Sequence, residues 1–443
     1  MNWDDHLQNL TCYEVESACK ALDYLDGDQV KHVEVCLDDY YQGIKSWRKR
    51  GIVPIVDNLT AKIITRSALT YQVDPDRSVY TGGEIEDESA SEKYEELLGY
   101  NGGNALTSAD IVSRLLKVCL VLCQYIPQTG EITYSILHRG NCDVDYDLVT
   151  RKVKSIMYTA GGVGPRGGKL FHFWSDTQII DIEREDEKTS RTVSVETNPY
   201  GMIPIVVRYD ITPPRCGFWP KEQWQDLIRL NETINLFNTE VRFGSRLHTF
   251  SPLFTNAKIP NGTIVGPDAI VEISGGTDEI FLEYKIPETN IAPFMEWLDA
   301  LKESVADTWG VRLDAKGQGA ADSGFKLTVQ ETWNLETRKQ RQKAARTMER
   351  DLYNIILMLS DTHSLGLPSN SKVYIDFAEP ALASDVYAER QENRADLAAG
   401  LKSKEQIWRE EDPDLSDADI AERKAEIAAL KLPSFGNVNV NTQ

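Results

Sequence analysis

Two short segments carry residues at spacings that could support chemistry, and each departs from the pattern that its chemistry requires. The segment GGVGPRGGKL, residues 161–170, resembles a phosphate-binding loop, in which backbone amides and a lysine hold phosphates. The first glycine of that pattern would fall on Val163, and Leu170 stands where a magnesium-binding hydroxyl is needed. The segment lies between two predicted strands, so we interpret it as a hairpin loop.

The second segment, DVDYDLVTRK, resembles a calcium-binding EF-hand loop. Asp143, Asp145 and Asp147 occupy the alternating acidic positions of that loop. Its sixth position requires glycine and holds Leu148, and its twelfth requires glutamate and holds Lys154. The sequence therefore predicts no calcium site of this type.

Histidine and cysteine spacings give no catalytic or metal-binding motif. The six histidines form no HExxH or HxH pair, the seven cysteines form no CxxC pair, and no GxSxG elbow occurs. The sequence therefore predicts no catalytic residue, no metal and no cofactor, although its 69 acidic residues leave paired catalytic carboxylates open. Cys119 and Cys123 lie in the apolar run KVCLVLCQY, and we interpret them as buried, reduced thiols.

Composition limits the classes of partner. The 443 residues suffice for two or three packed units, and no apolar run approaches the roughly 20 residues of a membrane span. The acidic N-terminus lacks a signal-peptide pattern, so we expect the chain to stay inside the cell and away from membranes. With 48 basic and 69 acidic residues the net charge is −21. A protein that grips DNA normally presents a basic face, so any DNA contact should be local or non-adhesive.

The first half of the chain changes from helices to strands. Residues 1–70 and 104 to about 125 show apolar residues every three or four positions, which predicts helices. The segment 81–96, with seven acids and one lysine, favours a solvated loop or helix surface. Short alternating runs then predict strands joined by turns, in a meander of hairpins: EITYSILH, KSIMYTA, KLFHFWS, TQIIDIE, RTVSVET and MIPIVVRYD.

The second half predicts two helical rods with a strand-rich insert between them. In residues 220–247, Leu227, Leu230, Ile234, Phe237 and Val241 form one apolar stripe. Residues 252–286 return to short strands with proline and glycine between them. The second rod carries its stripe on five residues and ends near Gly310, where a glycine C-cap would fall: Phe294, Leu298, Leu301, Val305 and Trp309.

A soft segment and a long helix follow. DAKGQGAADSGFKL, residues 314–327, is mostly small or polar, and residues 324–362 predict a helix with a core stripe in its last two-thirds. The middle of that helix, NLETRKQRQK, is polar on every face, which is typical of a helix between bodies or subunits. The strand KVYIDFAEP and an acidic helical tail complete the chain, and GNVNVNTQ is predicted to be disordered.

This order of elements resembles the portal proteins of tailed bacteriophages over nearly the whole chain. Four phrases add to the order: DDYYQGIKSW, IVPIVDNLTAKIITRSALTYQV, NPYGMIPIVVRYD and YIDFAEPALASDVYAERQENRADLAAGLKSKEQIW. They resemble an early tyrosine-glycine phrase, the helix that follows it, the strand before the first stem helix, and the C-terminal strand and helical segment.

The resemblance implies an α+β subunit with a helical and β wing, two antiparallel stem helices, a β-rich clip, a long wing helix and a short helical crown. Its boundaries, carried over by position, are a wing at 1–219, a first stem helix at 220–249, a clip at 250–287, a second stem helix at 288–310, a tunnel loop at 311–324, the long wing helix and returning strand at 325–379, a crown at 380–432 and a disordered tail at 433–443.

The resemblance also implies a function and partners. Such subunits form a ring, usually of twelve copies, at one capsid vertex of the virion, and double-stranded DNA is packaged and ejected through it. The implied partners are the terminase large subunit, the head–tail connector or adaptor, the major capsid protein and the scaffolding protein, met in the host cytoplasm during assembly. Two alternatives remain: another ring-forming virion protein, such as a connector or baseplate component, and an enzyme without a recognisable motif.

The implied tunnel loop contains the residues expected to face DNA: Arg312, Lys316, Gly317, Gln318, Gly319, Ser323, Gly324 and Lys326. Glycines and short polar side chains would let this loop bend while phosphates pass. The polar midsection of the long helix could pair with an acidic face of a neighbouring subunit, or could be a solvated surface. The residues of this candidate interface are Arg338, Lys339, Arg341, Lys343, Glu86, Asp87 and Glu88.

Overall fold

The computed structural model divides the chain into two compact units, residues 1–378 and 379–443. The residues that the structure describes are 3–41, 46–49, 51–82, 86–159, 161–186, 189–212, 217–221, 224–249, 253–255, 282–284, 292–311, 324–377, 402, 403 and 406. In the second unit, the Ser403 amide donates to Gln406 Oε1 and the Gln406 amide donates to Ser403 Oγ, at 2.9 and 3.2 Å. This reciprocal pair is a capping box.

The N-terminal region is helical, as its periodicity predicts. Its elements are α1 (Trp3–Asn9), α2 (Tyr13–Asp26), α3 (Val30–Tyr40), α4 (Ser46–Lys49), α5 (Leu59–Ser67) and β1 (Asp76–Thr81). Gly27 ends α2 with a φ of 89°, a left-handed conformation that glycine adopts without steric cost. Asn58 caps α5 by accepting a hydrogen bond from the Ala61 amide at 2.9 Å.

The predicted helix from 104 to about 125 is wrong in its second half. Helix α6 spans Glu88–Leu116 with a kink at Gly99, and strand β2 follows at Val118–Ile126. Lys117 separates them with a φ of 69°. The first six residues of β2 are buried, and a short apolar run that is buried on both faces has no periodicity that distinguishes strand from helix. Cys119 and Cys123 are buried, as expected.

Two antiparallel sheets make the β-rich part of the fold. The smaller has the order β3 (Glu131–Leu137), β2, β9 (Ile205–Tyr209). The larger is a five-stranded meander in sequence order, which confirms the predicted hairpins from KSIMYTA to RTVSVET, whereas EITYSILH, predicted in the same meander, lies in the smaller sheet as β3. The strands of the larger sheet are β4 (Cys142–Tyr146), β5 (Val153–Tyr158), β6 (Lys169–Ser175), β7 (Gln178–Arg184) and β8 (Ser190–Thr197). Sequence reasoning missed β4, because its alternating aspartates were weighed only as calcium ligands.

Two antiparallel helices flank the insert. Helix α7 spans Gln225–Thr249 and α8 spans Ala292–Thr308, and strands β10 (Leu253–Thr255) and β11 (Leu282–Tyr284) pair between them. The Phe237 ring lies 5.0 Å from that of Trp297, near the start of α8. At the other end, Trp224 and Leu227 share a buried cluster with Val311. Gly310 has a φ of 69° and ends α8, as predicted.

Helix α9 is the longest described element, with 40 residues from Gly324 to His363, and strand β12 (Ser371–Asp376) pairs with β1 after it. The predicted core stripe is buried: Ala345, Met348, Leu352, Ile355 and Leu359. It belongs to a cluster with residues of α6, β2 and β9, where the Tyr94 and Tyr353 rings meet at 4.9 Å. Among the described residues, no helix is long and apolar enough to cross a membrane.

Candidate functional site

The segment expected to face DNA falls largely outside the described part of the chain. Arg312, Lys316, Gly317, Gln318, Gly319 and Ser323 are not among the described residues. Gly324 and Lys326 lie in the first turn of α9. The interior of the insert, the expected crown at 380–432 apart from the capping box, and the expected tail at 433–443 are also outside the described residues. The described residues do show what holds the end of α8, just before residue 312, and the middle of α9.

The polar midsection of α9 is buried against its own chain at three positions: Arg338, Arg341 and Gln342. Arg338 and Arg341 are 5% and 4% exposed. Arg338 donates to the Leu69 carbonyl at 3.2 Å, and Arg341 donates to the Ser67 carbonyl. The sequence offered two alternatives for these arginines, pairing with a neighbouring subunit or a solvated surface. Both are corrected here, since the partners named above belong to the same chain and neither arginine lies on a solvated surface. Hydrophobic periodicity could not predict this burial, because it assigns a polar residue such as arginine to the solvated face of a helix.

The other interface candidates are near the surface. Lys339 and Lys343 are exposed on α9, and pairing with a neighbouring subunit stays a prediction for them. In the acidic segment, Asp87 caps α6 by accepting from the Ala90 amide at 3.1 Å, and Glu86 accepts from Ser91 Oγ at 3.0 Å. Glu88 begins α6 and is exposed. Part of this acidic segment therefore starts a helix, where carboxylates favour the positive end of the helix dipole.

A buried ionic cluster joins α6, β9 and α9; we call Arg114, Lys117, Asp210 and Arg341 the basic junction. Asp210, which follows β9, is 2% exposed. It lies 3.0 Å from Arg114 Nη1, 3.3 Å from Lys117 Nζ and 3.1 Å from Arg341 Nε. One carboxylate therefore serves three cations that come from two helices and the turn after α6.

The basic junction also binds the C-terminal ends of three helices. Arg114 donates to the Trp309 carbonyl after α8 at 3.0 Å, and Arg341 donates to the Ser67 carbonyl at the end of α5. Lys117 donates to the Arg114 carbonyl in the last turn of α6 at 3.3 Å. Helix C-termini carry partial negative charge and unpaired carbonyls, so cations are favoured there. The end of α8 and the middle of α9 are thus tied to one buried point.

Burial and mutual repulsion shift the pKa values in the basic junction. Burial opposes ionisation of Asp210, but Arg114, Lys117 and Arg341 outweigh it and lower the pKa of the carboxyl. Burial lowers the pKa of Lys117 to about 8, and the neighbouring arginines add to the effect. Burial likewise lowers the pKa of Arg341 to about 10. Asp210 therefore stays ionised while its cations are held at an electrostatic cost.

A second buried pair lies beside the basic junction. Arg208 on β9 is fully buried and donates to Asp110 Oδ1, whose other oxygen accepts from the Thr70 amide at 3.0 Å. Sequence reasoning singled out none of Arg114, Lys117, Arg208 or Asp210. A signal was present, because Arg114 stands among apolar residues in IVSRLLK, and a buried arginine requires a partner.

The glycine-rich segment that resembles a phosphate loop binds a carboxylate of its own chain. Glu183 on β7 is buried, and its Oε1 accepts from the Arg166 and Gly168 amides at 2.7 and 3.0 Å. Arg191 donates to the other oxygen at 2.6 Å. Burial opposes ionisation, but these hydrogen bonds outweigh it and lower the pKa of Glu183. A Cβ on Gly164 would lie 2.4 Å from Glu183 Cδ, so the glycine makes room for this carboxylate.

A serine, a histidine and an aspartate form a hydrogen-bonded chain that the sequence did not suggest. His6 Nε2 lies 3.0 Å from Ser155 Oγ, and His6 Nδ1 lies 2.8 Å from Asp143 Oδ2. The order of the three side chains and the distances between them match those of a catalytic serine that a histidine activates and an aspartate orients. All three residues are at least 95% buried, so a substrate could not reach the hydroxyl. These two hydrogen bonds fix α1 to strands β4 and β5. Among the described residues, no group of histidine, cysteine and acidic side chains is placed to hold a metal.

Helix α7 carries a buried polar row that periodicity missed. Asn231, Asn235 and Thr239, spaced by four, are fully buried. Their side-chain oxygens accept hydrogen bonds from three backbone amides that precede or begin α5: Thr60 at 2.9 Å, Asp57 at 2.8 Å and Ile55 at 2.9 Å. The row satisfies the backbone of an extended segment and fastens α7 to the N-terminal helices.

Comparisons with known proteins give distant structural likeness only. No protein-family model matches the chain, and no curated protein matches it. A solved structure of the virion of a native gene transfer agent particle has 13% identity, covers 78% of this chain and 87% of that chain, and has a TM-score of 0.36. The neck of an empty gene transfer agent particle has 10% identity, coverage of 88% and 93%, and a TM-score of 0.37. Because both TM-scores are this low, the fold family and the function are argued from the residues of this chain and not from these structures.

Proposed function

We propose that the chain is a portal subunit of a phage-like particle. Copies form a ring at one capsid vertex, through which DNA is packaged and ejected, and which receives a terminase motor and then a head–tail connector. The observation that carries this proposal is the antiparallel pair α7 and α8, with strands β10 and β11 paired in the insert between them, followed by the 40-residue α9.

The dimensions of the helices suit a stem. At 1.5 Å per residue, the 25-residue α7 is roughly 37 Å long and the 17-residue α8 roughly 25 Å. Two such rods hold the insert at a distance from the wing, where a motor or connector could bind it. Segment 312–323 lies between α8 and α9, so it would face the bore if α8 does.

Helix α8 presents apolar side chains for a neighbouring copy. Phe294, Met295 and Trp297 are 42%, 41% and 47% exposed near its start. Aromatic residues and methionine are enriched in protein–protein interfaces, and three together on one helix turn are costly to leave in water. A ring in which each α8 packs against the next copy would cover them.

Charge suits a channel that does not retain DNA. Twelve copies at −21 each total −252, so the ring as a whole repels a duplex. In this proposal, only local cations such as Lys316 contact the DNA. The glycines next to Lys316 let the backbone change conformation as the DNA passes. The basic junction ties the end of α8, next to this segment, to the middle of α9, through Arg114 and Arg341.

Native mass spectrometry of the chain, purified alone and after co-expression with its capsid partners, tests ring formation. We expect closed rings, with twelve copies as the leading species, whose image reconstructions show a bore wide enough for duplex DNA. Exclusively monomeric chain under both conditions would contradict the proposal. A ring with residues 312–323 on its outer rim would instead favour a connector.

The Lys316→Glu variant tests the DNA contact, with Lys372→Glu on β12 as a charge-matched control, because Lys372 is exposed and lies outside the candidate interface. We expect Lys316→Glu rings to assemble normally but to lower DNA packaging or retention in particles. Unchanged packaging, retention and titre would remove Lys316 from the proposed channel.

A further inference from the structure

A cleft of about 150 Å³ opens beside the basic junction, between the end of α8 and the middle of α9. It is lined by Arg114 and Arg341 together with Ser67, Thr308, Gly310 and Thr337. We infer that this cleft binds a single phosphate-type oxyanion, held between the guanidinium groups of Arg114 and Arg341. The inference stands on the charge and geometry of the cleft and does not depend on ring formation.

The charges around the cleft favour an anion. Three cations of the basic junction share the one carboxylate of Asp210. The three helix ends that they contact contribute about half a negative charge each, so with Asp210 the junction keeps a net positive charge of about half a unit. The Trp309 ring, 4.8 Å from Arg114 and 4.4 Å from Lys117, also faces two of the cations. Lowered pKa values of Lys117 and Arg341 agree with positive charges that burial leaves poorly compensated. An anion in the cleft would relieve that cost.

The described contacts leave hydrogen-bond donors for a ligand. A guanidinium carries five N–H groups. Arg341 donates one described hydrogen bond, to the Ser67 carbonyl, besides its ion pair with Asp210. Arg114 donates three, to Ser67 Oγ, Asp210 and the Trp309 carbonyl. Two planar guanidiniums from different helices can each bind an oxyanion through a fork of N–H groups.

Size and shape select the class of ligand. Pockets for drug-sized molecules occupy roughly 300–1,000 Å³, so a cleft of about 150 Å³ admits one small anion or one phosphate group of a larger molecule. A tetrahedral phosphate presents three or four oxygens and can engage both arginines together, whereas a carboxylate presents two. The bound group would join α6 to α9 beside the end of α8.

Thermal unfolding of the full chain tests this site, with sodium phosphate compared against sodium chloride at equal ionic strength. We expect a curved rise in Tm that becomes logarithmic in phosphate concentration above the dissociation constant, because a ligand at ten times that constant raises the folding equilibrium constant about elevenfold. Phosphate also stabilises proteins by exclusion from their surface, an effect that grows in proportion to its concentration. A rise that is linear in phosphate concentration throughout would therefore overturn the inference.

Variants separate this site from general anion effects. Arg341→Met should lose the logarithmic rise, while Lys343→Met, which removes an exposed cation two residues further along α9, should keep it. If Arg341→Met does not fold, phosphate binding by isothermal titration at 20 °C to Arg341→Lys should be weakened at least tenfold relative to the parent chain. Binding that is unchanged in both Arg341 variants would overturn the inference.

Two further anions identify the source of the phosphate group. Dimethyl phosphate mimics the phosphodiester of a nucleic acid backbone, and a logarithmic rise in Tm with it as well as with phosphate would indicate that a nucleic acid can supply the group. A rise with inorganic phosphate alone would support a site for the free ion. An equal logarithmic rise with acetate would overturn the assignment to phosphate and place a carboxylate in the cleft.

Discussion

Arg341 Nε on α9 lies 3.1 Å from Oδ1 of Asp210, the residue that follows β9, although 131 positions separate the two residues in sequence. Both side chains are at least 95% buried. The long helix is therefore attached to the sheet by an ion pair in the interior and not only by its apolar stripe. Because Arg114 and Lys117 share the same carboxylate, Asp210 holds the ends of several helices together.

Replacing Asp210 with asparagine should lower the free energy of unfolding by about 3–5 kcal/mol, since breaking a buried ion pair leaves uncompensated charge. Three cations would then face each other without a carboxylate. The measurement is chemical denaturation of both proteins at pH 7. Asp307→Asn is the control, because Asp307 is an exposed aspartate on α8, close to the same junction. A change below 1 kcal/mol for Asp210→Asn would show that the junction contributes little to stability.

Much of the secondary structure followed from hydrophobic periodicity. The stripes of α7, α8 and α9 and the hairpins from β5 to β8 were predictable, because each buries one face or one stripe. Phe294 of the predicted α8 stripe is the exception, with 42% of it exposed. Strand β2 was not, since its first half is buried on both faces. The glycine cap at Gly310 was predictable from one residue, because its left-handed φ favours glycine.

The buried polar groups could not be predicted from periodicity. Arg341 and Asn235 lie inside the fold, yet pattern reasoning assigns polar residues to solvent. Their partners are distant in sequence, as for Glu183, whose carboxylate takes the amides of a loop that resembled a phosphate site. Only the tertiary fold brings such partners together, and the composition of either segment does not encode the pairing.

Two threonines on α7 isolate the contribution of its buried polar row. Thr239 and Thr233 both donate to the carbonyl four residues earlier, but only Thr239 also accepts from the Ile55 amide, at 2.9 Å. Thr239→Val should lower the free energy of unfolding by about 1–3 kcal/mol, because it leaves that amide without its acceptor. The exposed Thr233→Val should change it by less than about 0.5 kcal/mol. Equal effects in urea denaturation would contradict a role for the row.

Two glycines test the carboxylate-binding loop. A Cβ on Gly168 would lie 2.7 Å from the Arg184 carbonyl oxygen, a backbone atom that cannot move aside cheaply. Gly168→Ala should therefore cost about 1–3 kcal/mol of stability through overpacking. A Cβ on Gly162 would meet Leu170 Cδ2 at 3.6 Å, an ordinary contact, so Gly162→Ala should be neutral or slightly stabilising. Similar thermal stabilities of the two variants would contradict the tight packing around Glu183.

Lys117 should give the stability of the protein a measurable pH dependence. Its pKa is lowered to about 8 in the folded chain, against about 10.4 for an unperturbed lysine. Between these values the unfolded chain holds a proton that the folded chain has released, so stability should rise with pH. Below pH 8 the lysine is charged in both states, and the cost of burying that charge is fully present. The slope can reach about 1.4 kcal/mol per pH unit.

The Lys117→Met variant isolates this slope. The difference in unfolding free energy between the parent chain and Lys117→Met should shift in favour of the parent as pH rises from 8 to 9. Buried tyrosines and cysteines titrate alike in both proteins and cancel in the difference. Lys343→Met, which removes an exposed lysine, should show a constant difference over the same range. A constant difference for Lys117→Met as well would mean that Lys117 keeps an ordinary pKa, and that Asp210 and the helix ends compensate its charge fully.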